Sequence, residues 1–265
     1  MLTNFQWLSL ITILLATYAG GFYPLFRQQK EQQSIGVSFG QSFTAGVFLV
    51  LSLTLMLPSS LHLLSKAFPN VDYPIATVIV IGAFLFLLGL EHFTRHIHNN
   101  SNSIVDEPTP AVIPVIMTVM IAIPSFFLGT ALGVSETSAA LFIWIAIMAH
   151  KSSAAFALAL KMLRSTLKKH QTYIIFSLFA LSTPIGIIVG QDIHRYLSDS
   201  TMIIVKGSIL ALASGTFLYM GTLHEHEDAP MIKSCNNKKG FIIMLSGFVI
   251  TALVRLLIGA AHHMK

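Results

Sequence analysis

Histidine and lysine stand side by side at positions 150 and 151, inside an apolar run long enough to cross a membrane. Imidazole suits borderline divalent metals such as zinc, and an ammonium is costly to bury in hydrocarbon. Together they mark a polar pathway or a partner group on another helix. No carboxylate lies one helical turn from His150 on its own segment, and the preceding segment carries Pro124 and Leu128 where polar partners could stand. Lys151 points about 100° around a helix from His150. It can snorkel toward an interface, pair with a carboxylate, or set a fixed positive charge in a lumen, where it would weaken binding of divalent cations.

The other groups able to bind a cation are Glu91 and His92 near the end of one apolar run, and His224 and Glu225 at the end of another. Carboxylates and imidazoles facing one lumen are what a cation pathway needs. Histidines at helix ends equally often just meet lipid headgroups, and that reading stays open for His92, His224 and His226. The polar stretches Arg95-His96-Ile97-His98 and His224-Glu225-His226-Glu227-Asp228 suit transient metal capture or a plain solvated loop. Two intramembrane hydrolases fail on their motifs. A zinc protease needs H-E-x-x-H, and the histidine–acid stretch at 224 ends in Asp228; a serine protease needs Gly-x-Ser-Gly, and Ser214 follows Leu212-Ala213. The chain does not read as an enzyme.

These residues must be positioned by membrane helices. The chain is 54% hydrophobic and 10% charged, with a mean hydropathy of +0.73, too apolar for a soluble domain. Its apolar runs have the roughly 18–25 residues that cross about 30 Å of hydrocarbon as a helix, and they lack the alternation of a β-barrel. Eight are expected, over roughly 5–26, 41–64, 73–95, 111–133, 137–161, 172–192, 202–223 and 240–261, giving an all-α, polytopic membrane protein with one transmembrane domain. The first run lacks a basic leader and is too long for a signal peptide, so it counts as a span. Basic residues cluster after the odd-numbered spans, at Arg27, Lys30, Arg95, Lys161, Arg164, Lys168, Lys169, Lys233, Lys238 and Lys239. The positive-inside rule then places those loops in the cytoplasm and both termini on the outer side. The net charge of +5 thus speaks for orientation and not for nucleic acid. Prolines fall within three spans, at Pro58, Pro124 and Pro184, where each removes a backbone hydrogen bond. Small residues at Gly129–Gly133 and Ala211–Gly215 suit close helix contact.

Five segments in order resemble the ZIP (Zrt/Irt-like) family of divalent-metal transporters: TAGVFLVLSLTLMLPSSL, GAFLFLLGLEH, HKSSAAFALALKML, FALSTPIGIIVG and ASGTFLYMGTLHE. The resemblance covers nearly the whole chain. It implies an eight-helix bundle in which spans 4 and 5 hold the transported metal. The family pattern H-x-x-x-E-G of span 4 falls on Pro124-Ser125-Phe126-Phe127-Leu128-Gly129, so both usual ligands are replaced. In span 5 the first ligand position is kept as His150, and the position one turn later is Ala154. Leu55 and Ser59 stand where many members carry a histidine and an acid, and His224, followed by Glu225, stands at the family's glutamate in span 7.

The resemblance implies transport of a divalent metal, zinc first, toward the cytoplasm, with His150 as the retained ligand aided by Ser125 and a carbonyl freed at Pro124. The candidate metal set is therefore His150, Ser125, Glu91, His92, His224 and Glu225. The metal is cargo, and no resident cofactor is expected. The partners expected are that ion and the lipid bilayer, with room for a homodimer. Two other readings remain: a transport-inactive relative that assembles with or regulates another membrane protein, and transport of a less demanding substrate.

Overall fold

A computed structural model describes residues 3–27, 35–100, 110–163, 165–196, 198–223 and 237–263. Each expected apolar run is helical, because a backbone inside hydrocarbon has to satisfy its own hydrogen bonds. In chain order the helices are α1 (Asn4–Arg27), α2 (Ile35–Leu51), α3 (Leu57–Ala67), α4 (Ile75–Asn100), α5 (Val112–Val134), α6 (Thr137–Leu163), α7 (Lys169–Tyr196), α8 (Asp199–Thr222) and α9 (Lys238–His263). Ser135 turns to extended backbone and separates α5 from α6; Ser198, also extended, opens α8.

Among the described residues, six helical stretches are long and apolar enough to cross a membrane: Asn4–Phe22, Ser42–Ala67, Ile75–Phe93, Val112–Val134, Lys169–Ile193 and Ser200–Thr222. In α6 the apolar stretches Ala139–Met148 and Ala154–Leu163 are shorter and flank the His150-Lys151 pair. Large apolar side chains such as Leu178, Leu181, Ile185 and Ile188 on α7 face outward, as suits a protein surrounded by lipid tails.

The second run departs from a regular helix. Between α2 and α3, Ser52–Met56 forms a π-helical turn in which Leu57 N–H donates to Ser52 O, five residues back. Pro58, which has no N–H to donate, follows at once. The turn is fastened to α8: Ser52 Oγ donates to Ser214 O at 2.9 Å, Ser214 Oγ to Ser52 O at 3.1 Å, and the hydroxyls lie 3.0 Å apart.

The helices sort into two packed groups: α1, α5, α6 and α7 in one; α2, α3, α4, α8 and α9 in the other. Glycines set the closest approaches. In the first group, a Cβ at Gly129 or Gly133 would fall on the backbone carbonyls of Thr183 and Ile187, and one at Gly186 or Gly190 on those of Phe126 and Thr130. In the second, Gly215 meets Val80, and Gly46 meets Met244. Such contacts substitute dispersion for the hydrophobic drive that lipid removes.

Candidate functional site

Two apolar clusters leave a layer between them. The larger contains Ile13, Leu128, Leu132, Ile143, Ile147 and Ile187 from the first group, packed with Val47, Leu51, Leu55, Ala213 and Phe217 from the second. The smaller, made of Ile121, Ala155, Leu158, Ala159, Met162, Phe176 and Phe179, lies wholly within the first group. On α5 the interval between the clusters holds Pro124 and Ser125; on α6, His150, Lys151 and Ser152; on α7, Ser182, Thr183 and Pro184. The hydroxyl of Thr17 on α1, fully buried, donates to Ile13 O at 2.7 Å. A polar belt thus crosses the first helix group at one depth. Both prolines lie in it, and each lacks the N–H that a helix would offer to the carbonyl four residues earlier.

Lys151 is 0% exposed. Its Nζ donates to Thr183 Oγ1 at 3.0 Å and sits 4.0 Å from the centroid of the Phe179 ring. Of the three destinations open from sequence, the side chain reaches neither an interface nor, among the described residues, a carboxylate. The side chain turns from α6 into α7, where a hydroxyl oxygen and an aromatic face receive the ammonium. Ser125 is 2% exposed, and its Oγ has no hydrogen-bond partner among the described residues. The pairings Gly129–Thr183 and Gly133–Ile187 keep one spacing, and that spacing one turn earlier brings Ser125 level with Phe179. Ser125 and Lys151 therefore approach the same turn of α7.

His150 belongs to α6, directly before Lys151, and its side chain lies outside the described residues, as do His224 and Glu225 altogether. Glu91 is buried in the second group, where Tyr219 Oη donates to its Oε2 across the contact of α4 and α8. Its neighbour His92 is exposed. Glu91 and His92 thus belong to a different helix group from Ser125 and His150. Leu128, at the second ligand position of the family pattern, is 1% exposed within the larger apolar cluster. Among the described residues no three histidine, cysteine, aspartate or glutamate side chains gather as a metal site. The belt offers hydroxyls and an ammonium instead.

Thr183 and Ser182 were not singled out from sequence. The signal that could have found them is a proline with a hydroxyl residue on one side at mid-span, Pro124-Ser125 in the fourth run and Ser182-Thr183-Pro184 in the sixth.

Comparison with known proteins bears on what such a belt is for. The family model described as ZIP Zinc transporter matches residues 3–115 and 109–255. Protein zntD of Dictyostelium discoideum is 32% identical over 179 residues, 62% of this chain and 25% of that protein. Zinc transporter ZIP9 of Micropogonias undulatus is 27% identical over 206 residues, 71% of this chain and 64% of its own length. Zinc transporter 3 of Arabidopsis thaliana is 25% identical over 237 residues, 79% and 70% of the two chains. The chain thus spans a quarter of the first relative and under two thirds of the second.

Proposed function

This chain belongs to the ZIP zinc transporter family, and from that premise we propose that it carries a divalent metal ion, zinc in first place, through the polar belt between α5 and α6. It is a multi-pass membrane protein, read here as eight spans with both termini outside and the metal moving toward the cytoplasm. The observation that carries the reading is the belt itself: hydroxyls, prolines and His150 collected at one depth of α5, α6 and α7, between apolar clusters above and below. Most belt hydroxyls are hydrogen-bonded, but Ser125 Oγ has no partner among the described residues, and burying such a group has a cost that a polar cargo would offset.

His150 is the nitrogen ligand in this mechanism and Ser125 an oxygen ligand, its unpartnered hydroxyl supplying a lone pair. The two helix groups exchange packing at their shared apolar cluster, so that the belt meets one side of the membrane and then the other. With a proline, a leucine and an alanine at family ligand positions 124, 128 and 154, the ligand set carries no carboxylate, so it replaces a metal's hydration weakly. Weak, readily reversible binding follows.

Zinc uptake into vesicles holding the pure protein tests this. Uptake above empty vesicles, lowered at least about tenfold by His150→Ala, is the expected result, a ligand loss of about 1.4 kcal/mol or more. No uptake above empty vesicles sinks it. Leu128 packed in the apolar core favours one second reading, a transport-inactive member that assembles with another membrane protein. That reading requires a stable partner to co-purify in mild detergent.

A further inference from the structure

We infer that Lys151 is a specificity-determining residue: a tethered cation, inside the first helix group, that holds down the affinity of the adjoining site for divalent metal. The inference rests on the transport reading above and names what sets the strength of its site. Three observations carry it. Lys151 has no exposure to water, so no solvent screens the ammonium in its charged form. Its partners among the described residues are the Thr183 hydroxyl and the Phe179 ring, which hold an ammonium without cancelling its charge. It follows His150 directly on α6, and its partners Phe179 and Thr183 lie on the turn of α7 that the glycine spacing brings level with Ser125.

Coulomb repulsion scales with the product of the charges, so a fixed +1 opposes a divalent ion twice as strongly as a monovalent one at the same distance. Between helices, where the effective dielectric is well below that of water, such repulsion is felt across the width of a helix contact. The tether matters as much as the charge. An untethered lysine would swing its ammonium away from an arriving metal, whereas Thr183 and Phe179 keep Nζ against α7.

A merely structural lysine, joining α6 to α7, makes a different forecast, and three variants separate the two. Lys151→Met keeps the aliphatic stem and removes the charge. Lys151→Arg keeps the charge. Thr183→Val removes the tether's oxygen and leaves the charge in place. Zinc uptake by each full-length protein in vesicles is resolved into KM and maximal rate. We expect Lys151→Met to lower KM at least about tenfold with a slower maximal rate, because metal then binds more tightly and leaves more slowly. Lys151→Arg keeps the wild-type KM, and Thr183→Val does not lower it. If Lys151→Met and Thr183→Val change only thermal stability, in the same sense and with KM unmoved, the lysine is a strut and the inference is overturned.

Equilibrium binding of zinc to the detergent-solubilised chain keeps the outcome clear of the transport reading. Tighter binding by Lys151→Met without uptake by any variant supports the inference and ends the transport reading; uptake with equal affinities does the reverse. Absence of zinc binding by both proteins overturns both. Should Lys151→Met fail to fold, Lys151→Gln reads the same quantity.

Discussion

Ser125 carries a hydroxyl that is buried inside the bundle and has no hydrogen-bond partner among the described residues. Leaving such a group unsatisfied ordinarily costs ~1–3 kcal/mol. A purely structural serine would have turned its Oγ to the carbonyl of the preceding turn, as Thr130 does toward Phe126 O and Thr118 toward Pro114 O on the same helix. Ser125→Ala should therefore leave the thermal midpoint in detergent unchanged or raised while zinc uptake falls. A lowered midpoint would mean that the hydroxyl has a structural partner. Glu91 shows the contrasting case. It is a buried carboxylate met by a phenol on a neighbouring helix, which satisfies the group where it stands and removes it from the belt.

On the scale of whole helices, the contact of α5 with α7 is the tightest seam of the first group, and glycine makes it possible. A methyl group at Gly186 would land on Phe126 O, a backbone atom with no room to give, whereas Gly82 on α4 has open space around its Cβ position. Gly186→Ala should cost ~1–3 kcal/mol, the usual toll of overpacking. Gly82→Ala should be neutral or slightly stabilising, since alanine is the better helix former. Thermal melting of the two purified variants compares them directly, and equal midpoints would refute the seam. This seam was half legible in the sequence: Gly129 and Gly133 stood out as small residues at packing spacing, but not the helix they face. Helix positions were readable because hydrocarbon demands long apolar runs; the π-helical turn at Ser52–Met56 was not, because nothing in the local run SLTLM distinguishes it from a regular helix. The destination of Lys151 was unreadable for a similar reason. It depends on a threonine 32 residues away in sequence, a distance that periodicity along one helix cannot bridge.

Over the whole molecule, the larger apolar cluster joins the two helix groups, and the smaller stays within one of them. A change of packing between the groups therefore acts on the larger cluster and leaves the Lys151–Thr183–Phe179 contact travelling as a unit. The direction of that movement in the cell depends on orientation, for which the basic loops are the guide. Cys235, the single cysteine, falls in sequence between the seventh and eighth expected runs, close to Lys233 and Lys238. A membrane-impermeant maleimide should leave it unlabelled in intact cells and label it once the membrane is opened; labelling of intact cells would invert the orientation. The lysine also bears on how the chain is made. A charge near the centre of a helix raises the cost of entering the bilayer by ~2.5–3.5 kcal/mol, and α6 has only two short apolar stretches, one on either side of its polar pair. As a solitary segment leaving the ribosome it is a poor candidate for insertion. Its shelter is built in order of synthesis: α1, against which Ser152 packs through Gly20, is already in place, and α7 arrives next with the hydroxyl and the ring that receive the ammonium. The segment that carries His150 and Lys151 is thus the one that enters the membrane only in company.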